Sequence, residues 1–503
     1  MAILQQEGVP HCVVEGDATA ESYAVLVIND AADDHELGLA RRFLNSGGSI
    51  LCSAKMFATI KGTTYDRKRI EYVHGTGESV FTSAGLVDVD HDGSVAWNAN
   101  DLPCQDGSMT AFVGSLDGGH CIALPFDPST VVRSGTASRK SFYSPATRLP
   151  FERVSTVNKN GVRRIVRRAL EHLYAARDLP FVHLWQFPDA AQTAFVLRID
   201  TDFSSLGDIE HLYEFLRAQR VPGSWFVDVK SQEGFMWRYA QMQGQEIGIH
   251  CYEHKAYEDD IRNHENILKA RNRFRDISLG ALGFAAPYGI WNPELAKVVK
   301  EFRFEYSSEF GWDYDNFPCK PWIDTKTRGV PQIPVHPISI GTLRRQGYTS
   351  DTMSEYFNRV IDEKLAMHEP LFFYHHPKDK HHDVLEGLIA RSAEAGANVL
   401  TMGAYATWWA SRRSEGMNVE FRGSVVTVDK NSMPKGHHLR IVGHTGKAAV
   451  VPIGERTDLD AVVWKWLPKP YAYPADVARV RAFNPRIPIT LAVDTMFAFR
   501  RKK

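Results

Sequence analysis

Four short stretches carry polar side chains where apolar segments end. The first is Leu197-Arg198-Ile199-Asp200-Thr201-Asp202. Side chains alternate along a strand, so Arg198, Asp200 and Asp202 share one face. Two carboxylates and a guanidinium at a buried strand end are costly without partners or a task; the plainer use of the aspartates is to cap a following helix. The second stretch is His250-Cys251-Tyr252-Glu253-His254. On a helical turn, imidazoles four residues apart project side by side and can share a metal ion. The chain has 20 histidines, so chance pairs arise, but this pair ends a strand about 50 residues after the aspartates. Two neutral imidazoles and one carboxylate form a three-ligand set with positions left for water and a substrate oxygen.

The third stretch, Gly283-Phe284-Ala285-Ala286-Pro287-Tyr288-Gly289, ends in a tight turn. Such a turn can present backbone N–H groups, or merely join a strand to a helix. The fourth, Leu371-Phe372-Phe373-Tyr374-His375-His376-Pro377, is an apolar strand that ends in two histidines. One of them suits a core position and the other an acid/base role.

The elements that must position these residues alternate regularly between 181 and 413. Strands are expected at 194–199, 224–229, 246–250, 282–286, 304–307, 371–375 and 397–401. Helices are expected at 207–220, 231–243, 257–277, 292–302, 352–367, 383–395 and 403–413. This α/β texture predicts a distorted (β/α)7-type barrel, whose chemistry belongs at the C-terminal ends of its strands. Residues 1–135 read as a small α/β domain. A strand at 23–28, a helix at 34–45 and a second strand at 49–52 follow one another, and antiparallel texture comes later. A linker and basic helix occupy 136–180. The pairs Arg163/Arg167 and Arg164/Arg168 fall on one helix face, either solvated or meeting an anionic partner. Residues 416–503 read as a β-sandwich with strands at 418–428, 439–442, 448–453, 461–466 and 489–493.

In order, D-x-D, H-x-x-x-H, a Pro-Tyr-Gly turn and a strand ending in His resemble the polysaccharide deacetylase superfamily. That is the NodB-homology fold of carbohydrate esterase family 4. The resemblance covers 181–413 and implies a metal-dependent amide hydrolase. It implies Asp200 as general base and Asp202, His250 and His254 as metal ligands. It implies a backbone N–H from Tyr288 for the oxyanion, and His376, or its neighbour His375, as the acid that protonates the leaving amine. One divalent ion is expected, zinc by its ligand chemistry, with nickel, cobalt or iron as alternatives. The chain departs from the family as a divergent member. Ala285 stands where the family has an arginine that pairs with the catalytic aspartate, and Arg198 is the expected substitute. Phe203 follows the aspartate pair in place of the usual glycine. Gly311-Trp312-Asp313 only loosely echoes the family's Trp/Asp motif.

The flanking regions say less. The N-terminal domain faintly resembles a flavodoxin-like or amidotransferase-like fold. Cys52 stands where the latter has its nucleophile, but it lacks the glycine-flanked elbow and reads as a structural thiol. Trp464, Trp466, Tyr471 and Tyr473 are candidate sugar-stacking or core aromatics.

Composition sets the outer bounds. Lys plus Arg number 59 and Asp plus Glu 60, a net charge of −1 over 503 residues, so no nucleic-acid partner is expected on global charge. No apolar run reaches the ~18 residues of a membrane span, and no secretory signal is visible. The six scattered cysteines suit a reducing compartment, and the expected location is cytoplasmic. These readings converge on deacetylation of an N-acetylated sugar, glycan or sugar-linked precursor, by a chain that can form a homo-oligomer. The alternatives are an allantoinase-like hydrolase of a non-sugar C–N bond and a carbohydrate-binding pseudoenzyme.

Overall fold

Seven strands run parallel through the centre of the chain. They are β1 (Thr193–Asp200), β2 (Gly223–Val227), β3 (Glu246–Ile249), β4 (Gly283–Ala285), β5 (Tyr306–Ser308), β6 (Leu371–His375) and β7 (Ala397–Leu400). The computed structural model describes residues 2–77, 79–146, 148–429, 431, 436–468 and 476–490. The strand order is β5-β4-β3-β2-β1-β6, and β7 pairs with the first half of β1. Every neighbour is parallel.

Alternation along the strands sorts side chains onto two faces. Phe195, Leu197, Ile199, Trp225, Val227 and Ile249 pack outward with the helices. Ala194, Val196, Phe226, Ala285, Phe372 and Tyr374 fill the inside. The sheet curls but β5 and β6 do not pair. Segment 331–336 fills the seam. Ser307 N donates to Pro331 O (2.9 Å), Ile333 N to Ser307 O (2.8 Å) and His336 N to Phe372 O (2.8 Å). Gly283 is small for a reason of space, since a Cβ there would lie 2.2 Å from the Tyr306 ring.

The aspartates of β1 are not helix caps. Ser205 caps helix Leu206–Gln219 and forms a capping box with Asp208, which frees Asp200 and Asp202 from that role.

The N-terminal region holds a five-stranded mixed sheet. Val25–Val27, Ser49–Ser53 and Gly119–Leu124 are parallel, and Met109–Leu116 is antiparallel to the last. Cys52 and Cys121 are buried beside each other in its core. Near the C-terminus, Phe181–Leu184 pairs antiparallel with His438–Val442, so the stretch just before the barrel joins a sheet from the end of the chain. The single strand expected over 418–428 is a hairpin, Val419–Arg422 with Val425–Val428, because Gly423 turns the chain at φ 61°. Of the strand expected over 461–466 only Lys465–Trp466 forms. Ile489 and Thr490 are helical, while 491–493, Tyr471 and Tyr473 lie outside the described residues. No described helix is long and apolar enough to cross a membrane.

The basic helix, Lys159–Ala175, departs most from expectation. Three of its four arginines are neither solvated nor free for an anionic partner. Arg163, Arg164 and Arg167 are buried between the N-terminal sheet and the barrel. Arg163 pairs with Glu7 and, at 2.9 Å, with Glu369, and its remaining donors reach Asn160 and Asn316. Removing one member of a buried, fully bonded charge cluster strands the others, at a cost of ~3–5 kcal/mol. Arg163→Met should therefore lower the chemical-denaturation midpoint substantially, by about that free energy. An unchanged midpoint would refute the clamp.

Candidate metal centre

The site sits at the C-terminal ends of β1, β3 and β6, where barrel chemistry is expected. Arg198 is fully buried inside the barrel. Its Nε and Nη2 donate to Asp200 Oδ1 (2.7 Å) and Oδ2 (2.6 Å). Its Nη1 donates to Ser308 O (2.9 Å) and Oγ (3.2 Å). The two-residue period of β1 sets this fork-to-carboxylate pair. The ring faces of Phe226 and Tyr374 lie 5.8 and 5.7 Å from the guanidinium.

Two residues on, Asp202 meets the histidine pair. Asp202 Oδ1 lies 3.1 Å from His250 Nε2 and 3.1 Å from His254 Nε2, and the two nitrogens are 3.1 Å apart. The histidines do not stand on a helical turn. Cys251 adopts φ 66°, and the loop bends back so that His254 rejoins His250. Asn266, on helix Asp260–Asp276, fixes the bend. Its Oδ1 accepts from Glu253 N (2.7 Å), and its Nδ2 donates to the carbonyls of Glu253 and Lys255 (3.0 Å each).

This donor set fits a divalent cation. His250 Nδ1 lies 2.7 Å from Ala285 O, a pure acceptor, so Nδ1 carries the proton and Nε2 presents a lone pair. Two imidazole nitrogens and a carboxylate oxygen then face one point. Ligands about 2.0–2.1 Å from a tetrahedral zinc lie about 3.3 Å apart, close to the spacing seen here. Burial opposes a charge on His250, but Asp200 and Asp202 outweigh it and its pKa is raised. Burial likewise opposes the Asp202 anion, yet the imidazoles of His250 and His254 beside it favour that anion and hold its pKa well down.

His376 completes the constellation. Its Nε2 is 3.6 Å from Asp202 Oδ2 and its Nδ1 is 3.1 Å from Asp379 Oδ2. Asp379 also accepts from Arg344 (3.0 Å). Burial resists the Asp379 charge, but His376 favours it and lowers the pKa to about 2. Gly341 makes the room, since a Cβ there would lie 1.8 Å from Asp379 Oδ2. His375 is the core histidine. It is buried on the opposite strand face, neither ring nitrogen has a hydrogen-bond partner among the described residues, and burial pushes its pKa down to about 3.

Tyr288 (φ 57°) and Phe203 (φ 51°) flank His254, with ring centroids 4.6 and 5.4 Å from it, and both are largely exposed. Lys378 Nζ donates to Asp202 O (2.6 Å) and lies 5.5 Å from the Phe203 ring. Asp313, of the Trp/Asp echo, is not in the site. It bonds Asn316 and the Tyr314 N–H instead.

Sequence reading missed four contributors: Ser308, Asp379, Asn266 and Asp228. Asp379 was signalled by its place three residues after His376. Asp228 ends β2 and is buried. Burial raises its pKa, against the opposing pull of Ser231, His250 and His254.

Fold and site together define a parallel β/α barrel, incompletely paired, with an Asp-His-His cluster that could hold a metal ion at its C-terminal mouth. No protein-family model matches the chain, and no curated protein does. Several solved structures do. An allantoinase is 15 % identical, covering 45 % of this chain and 93 % of its own, with a TM-score of 0.38. A family 4 carbohydrate esterase from Streptomyces lividans, in complex with acetate, is 14 % identical over 42 % of this chain and 92 % of its own, with a TM-score of 0.30. A family 4 pseudoenzyme from Bacillus anthracis is 16 % identical over 44 % of this chain and 66 % of its own, with a TM-score of 0.32. The site geometry, rather than these scores, carries the functional reading below.

Metal analysis of the purified protein should find about one divalent ion per chain. The Asp202→Ala/His250→Ala double variant should lose it. Acidification should release it, because protons then compete for the imidazole nitrogens. Metal retained equally in both proteins would place the ion elsewhere.

Proposed function

We propose that this chain is a metal-dependent amide hydrolase that removes the acyl group from an N-acetylated sugar. The observation that carries the reading is the Asp202/His250/His254 triangle, met by an Arg198-held carboxylate and an Asp379-held imidazole. Asp202, His250 and His254 would hold the ion. Zinc suits these ligands, and nickel, cobalt or iron remain alternatives. A divalent ion there would supply Lewis acidity to water and to the amide carbonyl.

The remaining work falls to the chain's own groups. Arg198 holds Asp200 oriented through two parallel hydrogen bonds, and each carboxylate oxygen keeps a second lone pair. Asp200 takes the proton as a water oxygen bonds to the carbonyl carbon. The Tyr288 backbone N–H is assigned to the developing oxyanion. His376, with Nδ1 tied to Asp379, presents Nε2 to the leaving nitrogen and protonates it as the C–N bond breaks. The products are a carboxylate and a free amine. Phe203 and Tyr288 offer apolar ring faces at the mouth, which suits stacking on a sugar. This favours a sugar over a small ureide.

The test is release of acetate from a panel of N-acetylated sugars and sugar-linked precursors, with allantoin as the competing substrate. Asp200→Asn should keep its metal yet lose about 10²–10⁴-fold in kcat. Arg198→Ala should also lose rate with metal retained. His376→Ala should be severely impaired, and His375→Ala only mildly. Turnover of allantoin alone would select the ureide reading. Sugar binding with no turnover of any substrate would select the pseudoenzyme. Full activity in Asp200→Asn would remove the general-base role.

A further inference from the structure

The barrel mouth holds one acidic side chain that the chemistry above does not use. Strand pairing sets Asp200 opposite Phe226 and Phe226 opposite Gly248. Two residues further along, Asp202, Asp228 and His250 therefore form one row across β1, β2 and β3. Backbone bonds hold that row together beyond the strand ends. His250 N donates to Val227 O (3.0 Å), Val229 N to Cys251 O (3.2 Å) and Asp228 N to Thr201 Oγ1 (3.0 Å). Val227 and Val229 pack outward among the helices, so Asp228 alternates inward, between two metal ligands. It is 1 % exposed, and its Oδ2 has no hydrogen-bond partner among the described residues. Native proteins rarely leave a buried carboxylate oxygen so.

The two ligand histidines differ in one respect. His250 Nδ1 has Ala285 O, whereas His254 Nδ1 is buried with no hydrogen-bond partner among the described residues. An imidazole that gives Nε2 to a metal carries its proton on Nδ1, and that N–H almost always has an acceptor. One layer of the site thus holds a donor that lacks an acceptor and an acceptor that lacks a donor. Ser204 Oγ, also buried and without a hydrogen-bond partner among the described residues, supplies a third polar atom on the loop after β1. Two to four such groups are what one ordered water needs.

We propose that Asp228 is the positioning residue for His254, accepting the Nδ1–H hydrogen bond directly or through one ordered water. It thereby fixes the tautomer that presents Nε2. The inference rests on the metal-centre reading above. It assigns Asp228 no contact with substrate.

The test is zinc affinity of the full chain, read by competition with a chromophoric chelator. Asp228→Ala should bind zinc about 10–100-fold more weakly than wild type. Asp228→Asn keeps an acceptor oxygen and should largely restore affinity. Nitrogen-15 histidine spectra of the zinc-loaded wild type should show His254 protonated at Nδ1 in slow exchange with solvent. Should Asp228→Ala fail to fold, that exchange rate decides, and rapid exchange overturns the inference. Equal zinc affinity in wild type and Asp228→Ala overturns it while leaving the metal centre standing. A wild-type chain that takes up no zinc, nickel or cobalt overturns the metal centre itself.

Discussion

A guanidinium inside a β/α barrel is tolerable only when every donor it turns inward is answered, and that requirement organises this site. Arg198 stands where the inner face of β1 would otherwise be apolar. It is answered by Asp200 on its own strand and by Ser308 across the barrel on β5. The carboxylate is thus aimed before any ligand arrives, which is the preorganisation that a polar site in a low-dielectric interior requires. The same pairing ties β1 to β5, although three strands lie between them along the sheet path. Ala285 is the complement. Its small side chain packs on the inner face, while its carbonyl orients His250.

A second cluster of buried charge fixes the frame around the barrel. Glu7, Arg163, Arg164 and Glu369 join the first helix, the long basic helix and the turn before β6. Arg412 adds to it, with donors on the carbonyls of Trp185, Leu184, Gln5 and Gln6. Buried ion pairs are weak sources of net stability, because desolvation consumes most of the Coulomb energy. They are strict about geometry, and that suits a joint whose parts come from distant stretches of chain. The strand Phe181–Leu184 belongs to this joint, pairing with His438–Val442 before the chain enters the barrel.

Much of the site was legible because strand periodicity is local. Arg198, Asp200 and Asp202 had to share a face once β1 was recognised, and the pairing of Arg198 with Asp200 follows from that face alone. The histidine pair was legible as a pair but not in its conformation. A helical turn and a bent loop both bring residues four apart together, and only the Cys251 φ and the Asn266 clamp decide between them. The basic helix was misread for a related reason. Charge on a helix face predicts solvent unless partners are known, and Glu7 and Glu369 lie 156 and 206 residues from Arg163.

The sequence by itself determined the order of the β/α units and which residues end each strand. Spacing and alternation are properties of a short segment, and turn chemistry marks its limits. Tertiary structure decided which of those ends meet. His375 and His376 are indistinguishable as neighbours, and only the strand faces, with Gly341 leaving room for Asp379, turn one toward Asp202 and bury the other. Asp228 is one acidic residue among 60 in the sequence. It enters the site only through its register with Asp202 and His250, a relation between strands that no single segment encodes.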